Sequence, residues 1–182
     1  MRIIGGTAGS RKIVVPTSVA RPSTDRLREA LFSILGSRVD GARVLDLFSG
    51  SGALGLEAIS RGAESCEFVD ESKESIAVVR KNIKTLQFDR ASVVGKDVFR
   101  FLDGVSKDRY DLVFADPPYL KHTSDRDFVA ELLEHEKLAD ALADDALLVI
   151  EDFPANKRSD INGWKLLDQR RYGSCGILFY QR

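Results

Sequence analysis

Cysteine is scarce in this chain. Only Cys66 and Cys175 occur in 182 residues, too few and too far apart for a disulfide framework. No spacing of Cys and His suits a metal, so none is expected. Both thiols read as buried, in a protein of the reducing cytoplasm. The two histidines, His122 and His135, stand alone and are assigned to the surface. No apolar run approaches the length that crosses a bilayer, which argues against a membrane partner. Met1-Arg2-Ile3-Ile4-Gly5-Gly6 holds too few apolar residues for a signal peptide. Repeats and low-complexity segments are also lacking. What remains is ordinary, at 43% hydrophobic and 30% charged, and the length suits one domain with a substantial core.

A net charge of −1 argues at first against a nucleic-acid binder, but the distribution is uneven. Residues 1–38 hold seven basic side chains and two acids, for +5, so the other 144 residues carry −6. A basic segment on a mildly acidic body is an electrostatic footprint for a polyanion, unless it is merely a solvated arm. Residues 2–15 read as a hairpin, with Arg2-Ile3-Ile4 and Lys12-Ile13-Val14-Val15 around a Gly/Ser-rich turn. Arg2, Arg11, Lys12 and Arg21 are the candidate phosphate contacts. A helix is expected over about 25–35, capped by Ser23 or Thr24 and stopped by Gly36.

From residue 43 the chain alternates strands and helices. Strands are expected at Val44–Phe48, Cys66–Val69, Ser92–Val94, Tyr110–Ala115 and Ala146–Ile150. Helices are expected up to about Arg61-Gly62, from Ser72 to Leu86, briefly after the third strand, and over 126–142. This rhythm implies a doubly wound, mostly parallel sheet. Trp164–Arg171 and Cys175–Tyr180 read as a closing antiparallel hairpin.

Gly50-Ser51-Gly52-Ala53-Leu54-Gly55 follows the first parallel strand and opens a helix. This G-x-G-x-x-G spacing lets a ligand approach backbone beside a helix N-terminus. Asp70 ends the next strand, where a carboxylate can accept from ribose hydroxyls, or simply cap the helix that follows. Nicotinamide dinucleotides and S-adenosylmethionine both fit this layout. Asp46 favours the second, because a carboxylate there could orient an ammonium and would repel a pyrophosphate. Asp97 could accept from an adenine amino group. The candidate cofactor residues are Thr24, Arg26, Asp46, Phe48, Gly50, Gly52, Asp70, Glu71, Asp97, Val98 and Asp116.

Asp116-Pro117-Pro118-Tyr119 follows the buried strand Leu112-Val113-Phe114-Ala115. Proline ends the ladder, and Pro117 and Pro118 hold their predecessors extended. A carboxylate, a free Pro117 carbonyl and a flat ring suit gripping a planar base by its exocyclic amino group. The bland alternative is a strand that ends in a proline turn.

Leu45-Asp46-Leu47-Phe48-Ser49-Gly50-Ser51-Gly52 resembles motif I of Rossmann-like methyltransferases, and Asp116-Pro117-Pro118-Tyr119 resembles the signature of enzymes that methylate exocyclic nitrogens of bases. Met1–Gly6, Arg21-Pro22-Ser23-Thr24-Asp25-Arg26-Leu27-Arg28-Glu29-Ala30-Leu31-Phe32 and Arg171-Tyr172-Gly173 look like the RsmD-like 16S ribosomal RNA guanine-N2-methyltransferases. The resemblance implies a Rossmann-like class I methyltransferase fold, a doubly wound, mostly parallel seven-stranded sheet with a C-terminal antiparallel hairpin. It implies one catalytic domain over 21–182 behind a basic extension over 1–20. The cofactor would be S-adenosyl-L-methionine, the substrate 16S rRNA or a small-subunit assembly intermediate, and the protein a monomer. Asp116 and the Pro117 carbonyl would take the two amino hydrogens while Tyr119 stacks on the base. An adenine-N6 DNA methyltransferase shares the tetrapeptide but normally needs a sizeable target-recognition region. A non-catalytic nucleotide-binding module or a dinucleotide oxidoreductase has no need of it. A protein-glutamine methyltransferase would more typically carry Asn at position 116.

Overall fold

The computed structural model describes every residue except 18–22, 121 and 123. The candidate Arg21 therefore lies outside the described residues. Helix α1 spans Asp25–Leu35. The Thr24 side chain caps it by accepting from the Leu27 N–H, and Leu27, Leu31, Phe32 and Leu35 form its buried stripe. The alternating part follows as β1 (Arg43–Leu47), α2 (Ala53–Ser60), β2 (Ser65–Asp70), α3 (Lys73–Leu86), β3 (Ala91–Gly95), α4 (Val98–Leu102) and β4 (Tyr110–Ala115). Then come α5 (Phe128–Glu134), α6 (Glu136–Ala141), β5 (Leu142–Asp152), β6 (Lys165–Tyr172) and β7 (Cys175–Gln181).

The seven strands order as β3-β2-β1-β4-β5-β7-β6. Pairs β1–β2, β2–β3, β1–β4 and β4–β5 are parallel, and β7 runs antiparallel between β5 and β6. Strand alternation splits the core into two layers. Val44, Leu112, Phe114 and Val149 face α1, α2 and α3, while Leu45, Val113, Ala115, Leu148 and Ile150 face α4, α5 and α6. At β4, Leu112–Ala115 are buried, as a run covered on both faces requires. Helix α2 lies unusually close to β2, because a Cβ on Gly55 would sit 2.4 Å from the Phe68 ring and 2.5 Å from Cys66 Sγ. The third glycine of the motif thus serves helix–sheet packing. The chain order reverses at β1/β4, which places the C-terminal ends of both strands at the switch point where ligands of such sheets bind.

Three expectations need correction. The N-terminal segment follows a hairpin path but forms one bridge, Arg2 with Lys12, and a 3-10 turn at Gly6–Ala8, with no strands. Ile3 with Arg11, Ser10 with Ile3 and Ile13 with Met1 keep cross-bonds along that path, but other backbone groups are spent on α2. Ile4 and Gly5 donate to the Glu57 carboxylate at 2.7 and 2.8 Å, and the Ser60 hydroxyl donates to the Gly5 carbonyl. Nor is the segment peripheral, since Ile3, Ala8 and Ile13 are buried in the core layer of α1–α3. Second, the helix expected over 126–142 is two helices. His135 is extended (φ −77, ψ 104) and breaks it, and β5 begins at Leu142. Third, His135 is no free surface residue. Its ring packs against Phe99, and Nε2 lies 3.4 Å from Asp103. Both cysteines are buried and free.

Candidate active site

A cleft of about 910 Å³ opens at the C-terminal ends of β1 to β4. Asp46, Phe48, Gly50, Asp70, Glu71, Asp97, Val98, Asp116, Pro117, Pro118 and Tyr119 all line it. Three candidates do not. Gly52 acts through the turn, at φ 75 as the N-cap of α2. Thr24 is used as the cap of α1, and Arg26 is exposed without a described partner, although Ser23 beside them reaches the cleft.

The acids beside β1 to β3 are held by backbone. The carboxylate of Asp46, only 2% exposed, accepts from the Gly55 N–H at 3.0 Å. Burial pushes its carboxyl up to about 8, against the lowering effect of that bond and with a smaller upward push from Asp70. Asp70 accepts from Gly50 N–H with one oxygen and from Ser72 N–H with the other, both at 2.8 Å. It therefore ties the glycine turn to the start of α3, whose own cap is Ser72. Asp97 caps α4 by accepting from Arg100 N–H at 3.0 Å. Phe48 is held at φ 55, a region costly for a residue with a large side chain. Its ring meets Phe99 and Phe128 edge-on, at centroid distances of 6.5 and 5.7 Å.

The other half is built differently. Asp116 continues the sheet with its N–H on the Leu47 carbonyl at 3.3 Å. Its carboxylate makes no hydrogen bond among the described residues. Burial, then the charges of Glu151 and Asp46, hold it well above the usual carboxylate range. Pro117 is buried, Pro118 exposed and Tyr119 half-buried, with its ring 6.3 Å from Phe153. The Tyr119 hydroxyl donates to Glu151 Oε1.

Several site residues escaped the sequence reading. Arg126 lines the cleft, lies 4.9 and 4.4 Å over the Phe99 and Phe128 rings, and pairs with Glu131 at 2.6 Å. Phe128, Phe153 and Ser174 also reach it. No local motif marks these positions. Glu151 had a signal, for it is an acid ending an apolar strand, as Asp46, Asp70 and Asp116 do.

Of the phosphate candidates, Arg2 pairs with Asp25 at 2.8 Å and Lys12 is exposed. The Arg11 guanidinium donates to the Leu86 carbonyl at 3.1 Å and also to that of Thr85, closing the C-terminus of α3. Buried Arg28 donates to the Ser23 and Arg2 carbonyls, both at 2.7 Å, and so clamps the N-terminal segment to α1.

Among the described lining residues Asp46, Asp70, Glu71, Asp97 and Asp116 are acidic and Arg126 alone is basic. Even with Asp46 and Asp116 holding protons, three acids against one base leave a negative field that suits a cationic ligand and repels a pyrophosphate. Fold and cleft together define a Rossmann-like methyltransferase. The family described as conserved hypothetical protein 95 matches residues 1–181, and the chain belongs to it. The ribosomal RNA small subunit methyltransferase D of Escherichia coli K12 is 36% identical over 184 residues, covering 100% of this chain and 90% of the relative. The enzyme of that name from Haemophilus influenzae is 31% identical, covering 100% and 93%. The solved structure of yhhF from Escherichia coli gives a TM-score of 0.84 at 35% identity, covering 100% of this chain and 97% of that one.

Proposed function

We propose that this protein moves a methyl group from S-adenosyl-L-methionine to the exocyclic N2 of a guanine in 16S ribosomal RNA. One observation carries the reading: Asp116-Pro117-Pro118-Tyr119 forms the far wall of the same acidic cleft that the glycine turn opens. The family and the names of its full-length relatives support the RNA substrate.

The cleft fits the cofactor by its chemistry. Asp46 would face the ammonium, the lone pairs that Asp70 keeps free would accept ribose hydroxyls, and Asp97 with Val98 and the Phe48 ring would hold the adenine. Glu71 adds charge at the rim. When bound, the cofactor supplies a methyl group on a positively charged sulfur. Asp116 and the Pro117 carbonyl would accept the amino hydrogens of guanine and so orient the nitrogen, whose lone pair is otherwise delocalised into the ring. Tyr119 stacks on the base. Positioning and preorganised polar groups then supply most of the acceleration. The base leaves its stack at a cost of about a few kcal/mol, less in loop RNA.

The catalytic unit is one domain over 1–182 and acts as a cytoplasmic monomer. No helix among the described residues is long and apolar enough to cross a membrane. The substrate is 16S rRNA, free or within a small-subunit assembly intermediate, and Arg2, Lys12 and Arg21 contact its phosphates. Mass mapping of 16S rRNA from cells with and without the protein tests the reading. One N2-methylguanine is expected to vanish and to return with the wild-type gene but not with Asp116→Ala. An unchanged map refutes it.

A further inference from the structure

Glu151 near the end of β5 has no part in the function so far assigned. It is 7% exposed, with one oxygen accepting the Tyr119 hydroxyl and the other buried without a partner. Ala115 pairs with Ile150 across β4 and β5, so Asp116 and Glu151 come next on adjacent strands. Phe114 and Val149, two residues earlier, share one core layer, which places both acids on that face. Asp46 of β1 bears on Asp116, Cys175 of β7 lies against Glu151, and Tyr119 closes the group. None of these neighbours is a cation.

An unpartnered buried oxygen is costly. Anchoring Tyr119 needs an acceptor but no charge, and a glutamine would serve. A charge here acts on the neighbouring carboxylate. A like charge at close range raises the proton affinity of its partner. We propose that Glu151 is a positioning residue for methyl transfer, pinning the Tyr119 ring and making Asp116 the stronger base for the amino proton. The inference rests on the reading above. In that reaction the nitrogen lone pair forms the new N–C bond and the sulfur keeps the electron pair of the bond that breaks. One amino proton must then leave, and ionised Asp116 takes it.

Glu151→Gln keeps the size and an acceptor for Tyr119 but removes the charge. The proton affinity of Asp116 then falls. Glu151→Asp keeps the charge and shortens the reach to Tyr119. Carbon-13 carboxyl NMR on the protein alone, with the Asp116 signal assigned through Asp116→Asn, reads the first effect. The Asp116 midpoint is expected to drop by about one pH unit in Glu151→Gln and to stay near wild type in Glu151→Asp. The acid limb of single-turnover methylation should move to lower pH by the same step in Glu151→Gln. In Glu151→Asp, KM for RNA should rise instead. An Asp116 midpoint that does not move in Glu151→Gln overturns the inference, as does a wild-type midpoint in the ordinary carboxylate range even where the variant fails to fold. A midpoint that moves in a protein that methylates no RNA leaves the Glu151 pairing standing and removes only the substrate reading.

Discussion

Beside β1 to β3, the strand-end acids are already in use. Asp46 holds Gly55, Asp70 holds Gly50 and Ser72, and Asp97 holds Arg100, each through a backbone N–H. Beside β4 and β5, the Asp116 carboxylate has no described hydrogen-bond partner, and Glu151 keeps one oxygen orphaned. The first half of the cleft is therefore part of the fold's own scaffold, preformed before any ligand arrives. The second half stores unmet acceptors, the condition under which an arriving amino group gains most. On this view a change in the first half shows in both stability and cofactor affinity, and a change in the second shows in turnover.

The largest expected effect is on Asp116. Asp116→Ala should cut methyl transfer by about 10²–10³-fold or more, on the scale of losing one preorganised polar group at the reacting centre. Titration calorimetry should find cofactor affinity within about threefold of wild type and a melting temperature no lower. Near-normal transfer in the folded variant would remove Asp116 from the chemistry.

Asp70→Ala should instead weaken cofactor binding by roughly 1–3 kcal/mol and lower stability as well, because two backbone donors lose their acceptor. If affinity falls with no change in melting temperature, the scaffold role assigned to the first half is wrong.

Asp46 sharpens the comparison through pH. Its native value, about 8, stands above the ordinary 3.8. The native state thus keeps a proton that the unfolded chain gives up, and stability falls as pH rises from about 4 to about 8. Asp46→Asn cannot lose that proton yet still offers Gly55 an oxygen. Without cofactor it should be the more stable protein at pH 8, by about 1–2 kcal/mol, with the advantage shrinking toward pH 4. Parallel pH–melting curves for the two proteins would contradict the assignment.

The smallest effect concerns the basic segment. Lys12→Ala should weaken RNA binding modestly and reduce the salt slope by somewhat less than one, leaving cofactor affinity unchanged. Arg11→Ala should behave differently, since that side chain closes α3, and should lower the melting temperature too. Identical RNA binding across salt concentrations in Lys12→Ala would end the phosphate role.

Much of this molecule is legible in the chain. Val44–Leu47, apolar but for Asp46, and the apolar run Leu112–Ala115 each became a buried parallel strand where expected. Gly50–Gly55 and Asp116–Tyr119 each lie within one continuous stretch, so local stereochemistry alone presents them at strand ends. The N-terminal segment misled because Ile3-Ile4 and Ile13-Val14-Val15 suit strands, while the N–H groups of Ile4 and Gly5 found the Glu57 carboxylate 53 and 52 residues away. His135 misled because a break between two helices carries no Gly or Pro to announce it.

The sequence by itself determined the order of the strands and of the helices up to β4, the glycine turn, the tetrapeptide, and the placing of Asp46, Asp70 and Asp116 near strand ends. These follow from short-range periodicity and from the dihedral limits of Gly and Pro, which act within a few residues. Tertiary structure alone decided that Glu151 stands beside Asp116, that Arg126 covers Phe99 and Phe128, and that Arg11 serves α3. Each of the first and last pairings joins positions 35 or more residues apart. Strand register, β7 inserted antiparallel beside β5, and the docking of residues 1–15 on α2 bring such positions together, and no local pattern encodes them.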